Sequence, residues 1–327
     1  MESGLQGLFM WPINEIVLGN MKKLILKILI FSLTVVQFTL SAQQDPMYNQ
    51  YIFNSYTINP AEAGIRAYGT ASFLHRWQWV GIAGAPTTTS MGVETSLGSK
   101  WGIGLNVIAD KIGPEVNQTV NFSVGYHIKL SSRYNFAAGL NAVTNHRRLN
   151  TALFNNVYDP DDPDLQAFNI FRPNLGGGLL LYSNHFFIGA SLPRLIQYKT
   201  PANGTNLALD QVRHMFIYTG RMFDVSPNIR LKPSVLMKGV SGAPVQFDLN
   251  GVISLYKTID AGVNYRLGDG LGLLFGITIK ERLIFNYAYE IPLTPIRNNT
   301  QQTHELGIRY RFGKAHVEKV QSPRFFN

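Results

Sequence analysis

The feature that most limits what this chain can become is the alternation that runs from Val116 to Val143. Val120, Phe122, Val124, Tyr126, Ile128 and Leu130 fall on one parity, and Thr119, Asn121, Ser123, Gly125, His127 and Lys129 fall on the other. A period of two is a strand signal, because successive side chains leave a pleated backbone on opposite faces. After a polar break at Ser131, Ser132 and Arg133 the pattern resumes, with Tyr134, Phe136, Ala138, Leu140 and Ala142 set against Asn135, Ala137, Gly139 and Asn141. Two such runs joined by a tight polar turn predict a hairpin. A soluble sandwich alternates too. Its strands average about five or six residues, however, whereas these runs reach about ten or more, the length a tilted strand needs to cross a bilayer.

The same unit recurs along residues 65–312. Strands are expected over Ile65 to Arg76, Thr87 to Leu97, Trp101 to Asp110, the hairpin above, Pro173 to Tyr182, His185 to Leu192, Gln211 to Phe223 and Asn228 to Val240. Val245 to Tyr256, Ile259 to Leu267, Leu271 to Ile279, Leu283 to Ile291 and Thr303 to Phe312 complete a series of about fourteen. Every second connection is a tight polar turn and those between are mostly longer. That is the rhythm of short periplasmic turns and longer extracellular loops, and an even strand number is what single-chain outer-membrane barrels have. The expectation is therefore all-β: a transmembrane outer-membrane β-barrel of about 14 antiparallel strands. Composition agrees, since only 15% of the residues are charged, against about a quarter in an ordinary soluble domain. Lumen-parity positions read as mostly Gly, Ala, Asn and Ser with few charges, which argues against a porin or small-solute transporter, the competing class.

The ends carry other information. Lys22, Lys23 and Lys27, the apolar run Ile28 to Leu40, and Ser41-Ala42 have the layout of a secretory signal peptide. Residues 21–42 are read as that signal, and residues 1–20 as a non-native upstream extension. Residues 43–64 do not alternate. Tyr48, Tyr51, Ile52 and Ser55 lie at helical spacing, and Asn59-Pro60 is expected to end that turn, giving a short periplasmic or plug segment packed against or inside the barrel. Residues 313–327 are expected to be a periplasmic tail. The formal charge is +9. Three lysines and two glutamates leave with residues 1–42, so +8 remains, scattered without a basic helix or stripe. That distribution suits anionic lipid headgroups, lipopolysaccharide or an acidic partner, and no nucleic acid.

No catalytic residue, cofactor site or metal site is expected. Cysteine is absent, so neither disulfides nor thiolate sites are available. The seven histidines show no ligand spacing, and no Gly-rich phosphate loop or nucleophile elbow appears. His127 near Ser123 invites a hydrolase reading, but both lie on the lumen parity. Asp159, Asp161, Asp162 and Asp164 offer oxygen ligands, yet Pro160 and Pro163 interrupt the spacing and no Gly turn or closing Glu completes a calcium loop. A solvated acidic loop is the expected reading. Trp101 fits an interfacial aromatic belt, whereas Trp77 and Trp79 are placed in a loop with Gly81 and Gly84.

Five short stretches then carry a resemblance. Asp45-Pro46-x-Tyr48-x-x-Tyr51-x-Phe53-Asn54 is followed by Asn59-Pro60-Ala61-x-Ala63-Gly64. Next come Arg76-x-Gln78-Trp79-x-Gly81-x-x-Gly84-Ala85-Pro86 and Asp110-x-x-Gly113-Pro114, and the chain ends Ser322-Pro323-Arg324-Phe325-Phe326. Together these resemble the PorP/SprF family of the type IX secretion system; Trp77 departs from the pattern, which has a polar residue there. The resemblance implies a non-enzymatic outer-membrane barrel, the motif residues forming a docking set and the last five a tail motif. It implies one of two jobs: exporting or anchoring a secreted surface protein, such as a gliding adhesin, through its C-terminal domain, or linking the outer membrane to a periplasmic ring through a peptidoglycan-binding partner. Residues 43–64 are expected to dock at the periplasmic side of the barrel, and the connections at 145–172 and 192–210 to form the surface that meets cargo.

Overall fold

The computed structural model describes residues 51, 55–66, 68–149, 168–198, 211–240 and 243–313. The extension, the signal peptide, Asp45, Pro46, Tyr48, Phe53, Asn54, the acidic loop and the tail motif from Ser322 to Phe326 lie outside the described residues.

The strands are β1 (Gly69–Trp77), β2 (Thr87–Leu97), β3 (Trp101–Ile112), β4 (Glu115–Lys129), β5 (Asn135–Leu149), β6 (Asn169–Tyr182), β7 (Phe186–Leu192) and β8 (His214–Arg221). After them come β9 (Phe223–Ser226), β10 (Ile229–Val240), β11 (Gln246–Leu255), β12 (Ile259–Arg266), β13 (Gly270–Ile279), β14 (Leu283–Pro292) and β15 (Thr303–Phe312). Each pairs antiparallel with its neighbours, and β15 pairs with β1 from Gly69 opposite Phe312 to Trp77 opposite His304. That seam closes the ring. β8 and β9 both pair with β10 and are one spanning strand interrupted at Met222, so the barrel has fourteen.

Alternation explains the faces. Along β5 the odd positions from Asn135 to Leu149 are buried, while Leu140 on the other parity is 71% exposed. Leu105, Val107, Phe122, Leu175, Leu179 and Ile188 are also exposed on the outer face. In a water-soluble protein such a surface would drive association; around a closed barrel it is the band that meets lipid. Aromatic pairs mark both edges: Trp101 stands 4.6 Å from Tyr126 near the short-turn end, and Tyr289 lies 5.3 Å from His304 near the other. Connections of two to five residues join β2 to β3, β4 to β5, β6 to β7, β9 to β10, β11 to β12 and β13 to β14 at one end. At the opposite end the links at 78–86 and 293–302 are long, although Gly113-Pro114 and 267–269 are short.

Three expectations need correction. β1 starts at Gly69, not Ile65, because Ile65 and Arg66 are buried with the segment that precedes the strand. Asp224 belongs to β9, so the turn falls at Pro227-Asn228 rather than over 224–227. Trp77 is the last residue of β1, on its outer face, and not part of the loop. Asn59-Pro60 follows one 3-10 turn, Ser55–Thr57, and opens another, Pro60–Glu62, capped by the Asn59 side chain; proline suits the first helical position because its missing N–H would be unused there.

Candidate functional site: a segment seated inside the barrel

The inner wall of β3 to β6 is made of small residues in register. Gly102 pairs with Gly125, Gly125 with Gly139, and Gly139 with Gly178, while Ser96 and Ser191 flank the row. Residues 58–64 lie along that row, crossing the strands. A Cβ at Gly139 would overlap Pro60 C and Ala61 N, one at Gly102 would overlap the Ala63 carbonyl, and one at Gly125 would stand 2.9 Å from Ala63 O. Glycine here permits backbone to lie on backbone. The same closeness explains Ala61 and Ala63, both fully buried, and Gly64, whose φ of +66° and contact with Gly102 Cα exclude a side chain.

Polar groups of the wall meet the backbone of the segment. Ser191 donates to Ile58 O at 2.6 Å, and Asn59 Nδ2 donates to Leu179 O at 3.0 Å and to the Tyr218 hydroxyl at 2.7 Å. Tyr218 in turn donates to Glu62, which also accepts from Ser55. His127 Nε2 lies 3.0 Å from Ala63 O and Nδ1 lies 3.2 Å from the Tyr182 hydroxyl. A neutral ring with its proton on Nε2 satisfies both, donating to the carbonyl and accepting from the phenol. Further along, Glu94 accepts from Gly64 N at 3.3 Å and pairs with Arg66. Tyr51 reaches the far wall, where Asn250 Nδ2 donates to its hydroxyl at 2.7 Å. Tyr56 lies on Gly104 and Gly92, and burial holds its phenol well above the ordinary value, so it stays neutral.

Across the bore the wall is charged, which overturns the expectation of a lumen with few charges. At the long-connection ends of their strands, Arg76 pairs with Glu305 and with Glu290 at 3.3 Å. Arg266 meets Asp248 at 3.2 Å, Asp269 at 3.3 Å and Glu290 at 3.5 Å. Glu290 therefore joins two guanidinium groups into one lattice over β1, β11, β12, β14 and β15. Arginine suits it because a planar fork can serve two carboxylates.

The motif that follows Arg76 caps this region. Gln78 N donates to Pro86 O at 3.0 Å, Val80 N to Gln302 O at 2.9 Å, and Gln301 N returns to Val80 O at 2.6 Å. Gly113 N donates to Gly84 O at 2.9 Å, tying the Asp110-x-x-Gly113 motif to the same loop. Gly81 and Gly84 have φ of +97° and +74°, and Trp79 has φ of +51°. Ala85 N closes a turn on Ile82 O at 3.1 Å. A cavity of about 340 Å³ lies against the loop, lined by Trp77, Val80, Ile82, Gly84, Lys111 and their neighbours.

The structure thus gathers Tyr51, Asn59, Pro60, Ala61 and Gly64 in the lumen, and Gln78, Trp79, Gly81, Gly84, Ala85 and Pro86 in the loop, with Arg76 in the lattice. His127 does not engage Ser123, whose hydroxyl points to Asn121 Oδ1 at 3.4 Å. Among the described residues no group of His, Asp and Glu is arranged to hold a metal ion. The glycine row and the lattice were not singled out from sequence. The available signal was a glycine on the inner parity of four successive strands.

A closed ring of fourteen antiparallel strands, apolar outside and filled inside, defines an outer-membrane β-barrel. The chain belongs to the PorP/SprF family of type IX secretion system membrane proteins, whose family model matches residues 40–310. Its place is the bacterial outer membrane, and its family is one of secretion-system membrane proteins. No curated protein matches it in sequence. Among solved structures it is similar to the CymD monoaromatic hydrocarbon channel, with 11% identity and a TM-score of 0.48, over 84% of this chain and 96% of that one. The toluene transporter TbuX of Ralstonia pickettii has 11% identity and a TM-score of 0.48, over 79% of this chain and 93% of that one. Omp33 of Acinetobacter baumannii has 11% identity and a TM-score of 0.46, over 76% of this chain and all of its own.

Proposed function

We propose that this barrel is a platform for a secreted surface protein, exporting or anchoring it through its C-terminal domain, and not a conduit through which that protein passes. The observation that carries this reading is the filled lumen. Residues 55–66 occupy one side and the Arg76 to Asp248 lattice the other, so a folded domain has no bore to enter. Cargo then meets the loop face, where the backbone bonds of residues 78–86 to 301–302 make a rigid rim. The periplasmic face is left for a ring or peptidoglycan-binding partner.

The test is affinity purification of the tagged protein from native outer membranes, with mass spectrometry of what accompanies it. A large surface protein in comparable amount is the expected result. Ring lipoproteins and a peptidoglycan-binding protein without cargo would instead make the barrel a link within the secretion machine. Recovery of neither, together with steady ion conductance in planar bilayers, would return the chain to the porin class.

A further inference from the structure

The two sides of the inner wall fill the bore in different ways. From β10 round to β1 the strands use their own long side chains, and Lys232, Leu236, Arg266, Leu274, Glu290 and Arg76 are all buried there. From β3 to β6 the wall offers Gly102, Gly104, Ser123, Gly125, Gly139 and Gly178, and the bulk comes from a separate piece of chain. A permanent closure needs only larger side chains on the wall, as the opposite side demonstrates. Thinning the wall and filling it with a second segment makes sense when that segment can leave.

The seat has the character of a reversible contact. Residues 55–66 form no strand ladder with the wall and are held by side-chain hydrogen bonds, close packing and the single ion pair of Arg66 with Glu94. The Tyr56 hydroxyl of the segment, and Ser96 Oγ and Asn106 Oδ1 of the wall beside it, are buried without a hydrogen-bond partner among the described residues. Buried polar atoms left unmatched weaken a contact that water would otherwise satisfy. The wall beneath carries Asn106, Asn121, Ser123 and Asn141, which are polar and uncharged, and one carboxylate, Glu94, that withdrawal of Arg66 would bare.

We propose that residues 55–66 are a displaceable seal, and that their withdrawal toward the short-turn end opens a polar passage along β2 to β6 for water, ions and small uncharged polar solutes. The passage is independent of which protein the outer face carries.

The absence of native cysteine allows a clean test. Asn59 Cγ, where a cysteine sulfur would sit, is 2.9 Å from the Cβ position of Gly178, within reach of a disulfide. The N59C/G178C chain and a Gly139→Leu chain are compared with the wild type in planar bilayers. Brief openings are expected in the wild type. The oxidised staple should abolish them and reductant should restore them, while Gly139→Leu should be open several-fold more of the time. The proposal is overturned if the oxidised and reduced staple conduct alike. It is equally overturned if Gly139→Leu, with 55–66 shown to be protease-sensitive, stays as closed as the wild type. Should that variant fail to fold, the staple alone decides, and a wild type and reduced staple that never open count against the proposal.

Discussion

Gly139 and Gly251 have the same residue type and opposite prospects. A Cβ at Gly139 overlaps the seated backbone, whereas one at Gly251 meets nothing within 4 Å. Overpacking of that kind costs about 1–3 kcal/mol, and a substitution into open space stays within about 0.5 kcal/mol. Gly139→Val should therefore lower the urea midpoint of the folded barrel by a corresponding step, and Gly251→Ala should leave it in place; equal midpoints would remove the close seat from the account. Glu305 makes a second test. Fully buried beside Arg76, it cannot be neutralised without leaving a guanidinium short of charge, a loss of about 3–5 kcal/mol for a broken buried pair. Arg76 keeps Glu290, so Glu305→Gln should fall near the low end, and R76M/E305L should recover most of the loss. The lattice was illegible from sequence for a definite reason: Arg76, Asp248, Arg266, Glu290 and Glu305 come from five strands, and only the register and the closing seam bring them together.

Strands were legible because lipid and lumen impose opposite demands on alternate residues, so β2 and β15 begin and end where alternation says. The interrupted strand β8–β9 and the late start of β1 were misread because apolar residues continue past the ladder. The seated segment is legible as a separate piece because it does not alternate, but its partner is a row of glycines contributed by four other strands. Asn59 is the element's anchor, capping Ala61 N at 2.9 Å while holding Leu179 O and Tyr218. Loss of a cap costs about 0.5–2 kcal/mol. Asn59→Ala should expose residues 55–66 to limited proteolysis while the barrel keeps its heat-modifiable migration; unchanged protection would show that packing on glycine suffices. On the outer face Leu140→Arg should cost about 2–4 kcal/mol if it lies near the bilayer midplane. The measurement is the yield and stability of folding into lipid vesicles, and an unaffected yield would argue against lipid contact there.

For the molecule as a whole, the segregation of long links to one end predicts that cargo retention and barrel stability are separable. Removing residues 155–164, which belong to one of the longest connections, should leave a heat-modifiable barrel and release cargo to the medium; retained cargo would place the contact elsewhere. The seam also has a consequence for how the molecule is made. Every strand pairing except β1 with β15 joins neighbours in sequence, so the growing sheet can zip up locally and must make a single long-range junction at the end. β1 follows residues 55–66 directly. Seating that segment on β3 to β6 and joining the last seam are thus tasks of one continuous piece of chain, so the cork is tethered to the very stave that closes the cask.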